Sequence, residues 1–220
     1  SFVKIRRPHE KNTVILKCLN FKRHWKPFYT IVDSTRFIDK KDTLVWRGAN
    51  SGNINSNRFN FLEKWGKNTN IDVGFSKLYN QYDEKTFQTI QNKYSTYVKG
   101  EKSINDLLQY KYIVSLEGND KDSGLNWKLN SNSVIFMCKP KVSSWLMEEK
   151  LIPNYHYVEL KNDFSDLEEK LEWCRNNQNK CLEIIKNSND FMKIFLNTEY
   201  EKILEQYIIN LYFEKLVLKI

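Results

Sequence analysis

The sequence predicts an α/β fold in which helices cover a parallel sheet. Two observations carry this. From residue 103 to 188 helical and strand-like runs alternate without a break, the order that sets neighbouring strands parallel and places helices on the sheet. The apolar segments "TLVWRG" (43–48) and "YKYIVSLEG" (110–118) read as buried strands ending on glycine. Together they describe a Rossmann-like arrangement, whose ligands lie beyond the carboxyl ends of the strands. That rule selects the loops after Gly48, Gly118, Lys139 and Leu160.

The elements follow in order. "TVILKCL" (13–19) and "FYTIVD" (28–33) are apolar and β-branched, so both are expected as strands. Strand 43–48 leads into the polar loop "ANSGNINSN" (49–57) and a helix over 58–66. Residues 70–76 suit another strand, and 83–99 are partly helical. Ser103 caps a helix over 103–109, ahead of the strand at 110–118. A short helix at 123–132, a strand at 133–139, a helix at 143–151 and a strand at 155–160 come next. Leu167, Leu171 and Cys174 at i, i+4 and i+7 mark helix over 163–188, and helical runs 189–197 and 198–218 complete the sequence.

With 220 residues, 40% of them hydrophobic, the chain can bury a core as one large or two small domains. No run approaches 18 uninterrupted apolar residues, so no membrane span is expected. The opening "SFVKIRRPHE" lacks a signal-peptide core and reads as entry into ordered structure, so the chain is expected to begin inside a longer protein. The net charge of +8 is spread along the sequence without a zinc-finger, RNP or basic-zipper pattern. It reads as a lysine-rich solvated surface rather than a nucleic-acid site, and a basic cleft would equally suit an anionic small molecule such as a nucleotide-sugar. Cys174 and Cys181 would stand ~10 Å apart on a continuous helix, too far for a disulfide, while a break between them reopens that pairing. Reduced thiols and a cytoplasmic location are expected.

Several residues could carry chemistry. Arg47 and Gly48 reach the sheet edge, where a guanidinium can hold two phosphate oxygens, or Arg47 can pair with an Asp. Arg58 opens the next helix. In "SLEGNDKDSGLNWKLNSNSVIF", Gly118, Asn119, Ser123 and Gly124 form a loop and helix start suited to a phosphate, with Lys128 one turn on. Asp120 and Asp122 are spaced as a D-x-D metal site, although Asp122 equally suits a helix cap. Glu148 is placed to accept hydrogen bonds from a ribose. His24 in "KRHW" could contact an acceptor or a phosphate, and His156 reads as structural. Motifs of zinc proteases, serine hydrolases and P-loop NTPases are absent from the sequence.

The stretches "LVWRGANSG", "YKYIVSLEGNDKDSGLNWKLNSNSVIFM" and "SWLMEEKLIPNYHYVELKNDFSDLEEKLEWC" resemble glycosyltransferase family 90, and its bacterial and viral members most. The resemblance covers about residues 2–190 and implies a GT-B-like fold with two Rossmann-like lobes. It further implies inverting transfer of glucose or xylose from a UDP-sugar to a glycan or protein hydroxyl, with no metal or other cofactor. Arg58 stands where family members contact the diphosphate, and the loop from Gly118 to Gly124 where they wrap the nucleotide. An Arg of that loop in the protein O-glucosyltransferases is missing here, with Lys128 as candidate substitute, and Ala49 replaces a Ser. The N-x-R-D-x-P segment carrying their catalytic Asp is also missing, which leaves Asp33 as candidate base.

The expected layout is a reduced or truncated amino-terminal lobe on the acceptor side (1–100), a nucleotide-sugar-binding lobe (101–190) and carboxy-terminal helices (191–220). Two alternatives stay open: an inactive nucleotide-sugar-binding domain, and a metal-dependent GT-A-type transferase using Asp120 and Asp122.

Overall fold

The computed structural model describes residues 1–7, 9–10, 12–54 and 56–217. The strands are β1 (Phe2–Val3), β2 (Ile5–Arg6), β3 (Val14–Ile15), β4 (Lys41–Gly48), β5 (Asp72–Phe75), β6 (Tyr110–Val114), β7 (Val134–Cys138), β8 (Ser143–Ser144) and β9 (Val158–Leu160). The helices are α1 (Lys26–Thr30), α2 (Asn57–Trp65), α3 (Glu84–Tyr94), α4 (Ile104–Leu107), α5 (Leu125–Leu129), α6 (Leu167–Asn176), α7 (Gln178–Lys193) and α8 (Thr198–Val217).

Five strands form one parallel sheet in the order β5-β4-β6-β7-β9. The chain runs outward from β4 to β5, then crosses back to lay β6 on the other side of β4. Strand order therefore reverses between β4 and β6, the switch point at which open α/β sheets bind ligands. Strands buried on both faces explain the unbroken apolar runs of the sequence. Leu44, Trp46, Val134 and Phe136 enter one core with α2, α3 and α6. Val45, Ile135 and Met137 enter the other with Trp25, Phe28 and Phe195.

The Rossmann-like α/β class agrees with the sequence, and so do the elements from β4 to α5. The boundary expected at residue 100 does not divide the sheet: β4, paired with β5 on one side, pairs with β6 on the other through Leu44↔Tyr112 and Val45↔Ile113. Three local expectations are corrected. Residues 28–33 do not form a strand, because Pro27 starts α1 and turns Phe28 onto Trp25. The run 13–19 holds only β3, which pairs with the two residues of β1 and nothing longer. Residues 143–151 form β8, a left-handed Met147 (φ 58°) and a single 3-10 turn instead of a helix. Met147 in that conformation ends any helix before it starts.

The helical stretch 163–188 breaks at Asn177, between α6 and α7. Cys174 and Cys181 are both fully buried across this break as free thiols, with Cys181 Sγ 3.4 Å from the Cys174 carbonyl oxygen. Residue 218, the last of the expected final helical run, lies outside the described residues, as do 219 and 220.

Candidate active site

The loops after β4 and β6 meet at the switch point because two features hold them together. Gly118 has no room for a side chain: a Cβ there would lie 2.3 Å from Ser51 Oγ and 3.2 Å from Arg58 Cζ. Arg58, on the first turn of α2, donates to the Ala49 carbonyl (2.8 Å) and Ser51 Oγ (2.7 Å) on one loop and to the Leu116 carbonyl (3.1 Å) on the other. Asn119 completes the bracket by accepting the Gly52 N–H at 2.8 Å. Gly48 serves the same approach from below, since a Cβ would come within 2.7 Å of the Trp46 ring.

A cleft of about 580 Å³ opens above these loops. Arg7, Asn57, Glu117, Asn119, Asp120 and Lys141 are among its walls. The amino terminus of α2 faces into it through Ser56 and Asn57, and the buried Ser56 hydroxyl has no hydrogen-bond partner among the described residues. First-turn N–H groups and an uncommitted hydroxyl together suit an anion.

Positive charge gathers beside the cleft. Arg58 is buried, and burial first, then the charge of Arg23, draws its pKa down against the pull of Asp122. Arg23 is exposed on the π-helical turn Phe21–Trp25, with no ion pair among the described residues. Its neighbour His24 is buried, accompanied by Asn20 at 2.9 Å. Burial, followed by the charges of Lys121 and Arg23, pushes His24 down to about 4, so it is neutral near pH 7.

Beneath the cleft lie two buried ion pairs. Lys128 reaches Asp122 and the Val114 carbonyl (3.0 Å), and Ser115 Oγ donates to the same Asp122 oxygen at 2.8 Å. Lys121 meets Glu148 at 2.5 Å, with Ser144 Oγ and Asn126 Oδ1 each 3.0 Å from the ammonium. Burial alone would raise both carboxyls, but the paired lysines outweigh it. Asp122 is held at about 2 and Glu148 below its ordinary value.

The sign of the acid dependence follows. A carboxyl held below its unfolded pKa stabilises the fold fully above the unfolded value and loses that contribution as pH falls through the folded one. For Asp122 the window runs from about 4 down to about 2, worth roughly 2 kcal/mol. Asp122→Asn should flatten this part of the acid-unfolding curve, which denaturant titrations between pH 2 and 5 would measure.

Set against the sequence, the structure brings Arg58, Gly118 and Asn119 to one place. It takes others away from it. Arg47 turns back toward the amino ends of the strands, where it pairs with Asp72, a carboxylate that also accepts from Tyr110 Oη at 2.8 Å. Asp33 sits at the opposite end of the sheet, just before the strands begin. Its carboxylate accepts from Lys40 Nζ at 2.6 Å and the Asn132 N–H at 2.7 Å. It is a buried strut, not a base at the cleft.

Lys128 and Glu148 are likewise corrected. Both are buried in ion pairs and not open to a diphosphate or a ribose. Ser123 and Gly124 shape the turn into α5, where the Gly124 N–H donates to Asp122 Oδ1 at 2.9 Å. Asp120 and Asp122 do not converge: the first pairs with Lys4, the second with Lys128. Arg23, Ser56, Asn57, Glu117 and Lys121 were missed as candidates. The acid Glu117 at the end of a strand selected by the carboxyl-end rule was the one available signal.

Comparison with known proteins bears on the family and the fold. Residues 19–219 match the model of Glycosyl transferase family 90. The chain is 36% identical over 193 residues to the O-glucosyltransferase LpsA of Dichelobacter nodosus, covering 88% of this chain and 55% of that protein. It is 32% identical over 123 residues to uncharacterized protein 179R of Invertebrate iridescent virus 6, covering 53% of this chain and 10% of the viral one. The chain thus spans about half of LpsA and a tenth of the viral protein. Among solved structures, sucrose-phosphate synthase from Thermosynechococcus elongatus superposes with a TM-score of 0.56 at 11% identity, over 87% of this chain and 51% of that one. That likeness concerns the fold, which is GT-B-like. Among the described residues no helix is long and apolar enough to cross a membrane.

Proposed function

Because the chain belongs to glycosyltransferase family 90, and is therefore a glycosyltransferase by descent, we propose that it moves glucose, or alternatively xylose, from a UDP-sugar to a glycan or protein hydroxyl with inversion and without a metal. The observation that carries this reading is the anion-ready cleft at the β4/β6 switch point. There Ser56 and Asn57 at the first turn of α2 line the cleft, and the charge of Arg23, which has no ion pair among the described residues, is felt by the buried Arg58. The printed name of LpsA, an O-glucosyltransferase, supports glucose as donor sugar. In this reading Arg23, the Ser56 hydroxyl and the first N–H groups of α2 hold the diphosphate and stabilise its charge as it leaves. Arg58 keeps the two loops in place.

Arg23→Ala tests it. The residue is exposed and unpaired, so its loss should leave the melting temperature within about 1–2 °C. UDP-glucose binding, followed by calorimetry, should weaken about tenfold, the size of one charge-assisted hydrogen bond. A screen of UDP-glucose, UDP-xylose, UDP-galactose and GDP-mannose, with and without Mn²⁺, would test sugar and metal need together. Unchanged affinity in Arg23→Ala would remove the guanidinium from the site.

A second reading, a domain that binds nucleotide-sugar without transferring it, draws on the position of Asp33 at the far end of the sheet. It expects UDP-sugar binding with no release of UDP under any acceptor.

A further inference from the structure

Resting on the transferase reading, we propose that Tyr82, on the loop after β5, is a positioning residue for the diphosphate. It acts through Gly52, which it sets against the amino terminus of α2. The loops after β5, β4 and β6 leave the sheet side by side, because those strands are parallel neighbours. All three meet at one residue. Gly52, on the β4 loop, donates its N–H to Asn119 Oδ1 of the β6 loop at 2.8 Å. Its carbonyl accepts from Tyr82 Oη of the β5 loop at 2.5 Å.

Gly52 carries the effect to the site. Its φ of 101° lies in the left-handed region that side chains rarely adopt. A Cβ there would stand 2.7 Å from Ser56 Oγ and 3.3 Å from the Gly118 carbonyl oxygen. Ser56 is the N-cap residue of α2, and its hydroxyl is the one assigned above to the anion. In a packed interior a shift of Gly52 is passed directly to such a neighbour.

Asn50 brings Tyr82 within reach. It is fully buried, and its side chain pairs twice with the backbone of Tyr79. Nδ2 donates to the Tyr79 carbonyl at 3.0 Å, and Oδ1 accepts the Tyr79 N–H at 2.8 Å. The β5 loop is thereby clasped to the β4 loop. The Tyr82 hydroxyl also lies 2.7 Å from the Asn50 carbonyl oxygen, but Gln81 Nε2 already donates there at 2.7 Å. A phenol has one proton to give, so with Asn50 served by Gln81 that proton goes to Gly52. Among the described residues Tyr82 is the donor that reaches the Gly52 carbonyl. Burial raises the Tyr82 pKa against the pull of Gln81 and Arg58, which keeps the hydroxyl protonated near pH 7.

The test compares the wild-type chain with Tyr82→Phe and Gln81→Ala. The first removes the hydroxyl and keeps the half-buried ring that packs on the core. The second is the control: it breaks a hydrogen bond to the same loop at Asn50 and leaves the bond from Tyr82 to Gly52 in place. Each variant loses a bond at the partly exposed edge of the loop, so both should fold, with melting temperatures about 2–4 °C below wild type. UDP binding, followed by calorimetry, should weaken about 5–10-fold in Tyr82→Phe and stay within about twofold in Gln81→Ala. Uridine, which carries no phosphate, should bind all three chains alike by ligand-observed NMR.

UDP affinity of Tyr82→Phe within about twofold of wild type would overturn the proposal. So would equal weakening in the two variants, which would make the hydroxyl a general stabiliser of the loop. An equal loss for uridine would overturn it as well, by moving the effect from the diphosphate to the nucleoside. Failure of the wild-type chain to bind UDP would instead remove the transferase reading, and the role of Tyr82 with it.

Discussion

Arg58→Ala should lower transfer by at least about 10²-fold and destabilise the protein by roughly 2–5 kcal/mol. By resemblance Arg58 is a diphosphate contact, and the sequence gives it no part in holding the fold. The structure says otherwise. The guanidinium is buried and donates to Ala49, Ser51 and Leu116, so its loss strands buried acceptors in both loops of the switch point. A Cβ at Gly118 would come within 3.2 Å of the guanidinium carbon, so the loop above would move into the vacated space.

A misplaced loop of this kind costs orders of magnitude in rate even where no substrate contact is lost. Arg58→Lys separates the effects. An ammonium is a point donor that cannot bridge two loops as a planar fork does, so part of the stability should return and little of the activity. Urea unfolding and UDP release measured on both variants would decide. Wild-type transfer by Arg58→Ala would show that the bracket is dispensable.

Lys121→Met should lower stability by about 3–5 kcal/mol, the measured range for breaking one side of a buried pair. At 220 residues that corresponds to a fall in melting temperature of roughly 10 °C. The reason is the partner. Glu148 is 1% exposed, and without Lys121 its carboxylate keeps only the Ser144 N–H and hydroxyl. The charge must then be protonated or must pull water into the cavity. Lys121→Met/Glu148→Leu should recover most of the loss, because two apolar side chains replace two desolvated ions.

The pH dependence is a second signature. Glu148 is held below its ordinary pKa by Lys121, so the stability that this pair contributes is present above the unfolded carboxyl value and fades as pH falls through the folded one. The deficit of Lys121→Met should therefore shrink in acid. A single variant within 1 kcal/mol of wild type at pH 7 would mean that the pair holds nothing.

Both effects come from residues whose roles are visible only in three dimensions. Lys121 falls between Asp120 and Asp122, inside the spacing that draws attention to a metal. In the fold that tripeptide splits three ways: Asp120 toward Lys4, Lys121 toward Glu148 and Asp122 toward Lys128. Linear spacing could not reveal this, because each partner comes from a different element. Arg47 and Asp33 mislead for a related reason. Both lie in or next to runs that end at plausible positions, but a long side chain can turn back along its strand, and a carboxylate before a strand marks the wrong end of the sheet.

By itself the sequence carried, in its motifs, the resemblance to glycosyltransferase family 90, and determined that this is a Rossmann-like α/β protein. Local pattern is enough for that, because buried parallel strands must be continuously apolar and the helices between them must repeat at 3.6 residues. Tertiary structure decided the rest: that β4 and β5 join the same sheet as β6, β7 and β9, and that most charged residues near the loops are internal struts. It also decided that Glu117 lines the cleft without an ion pair among the described residues. Whether a charge is spent on a neighbour or left for a substrate depends on distances across the fold, and those are set only once the strands have paired.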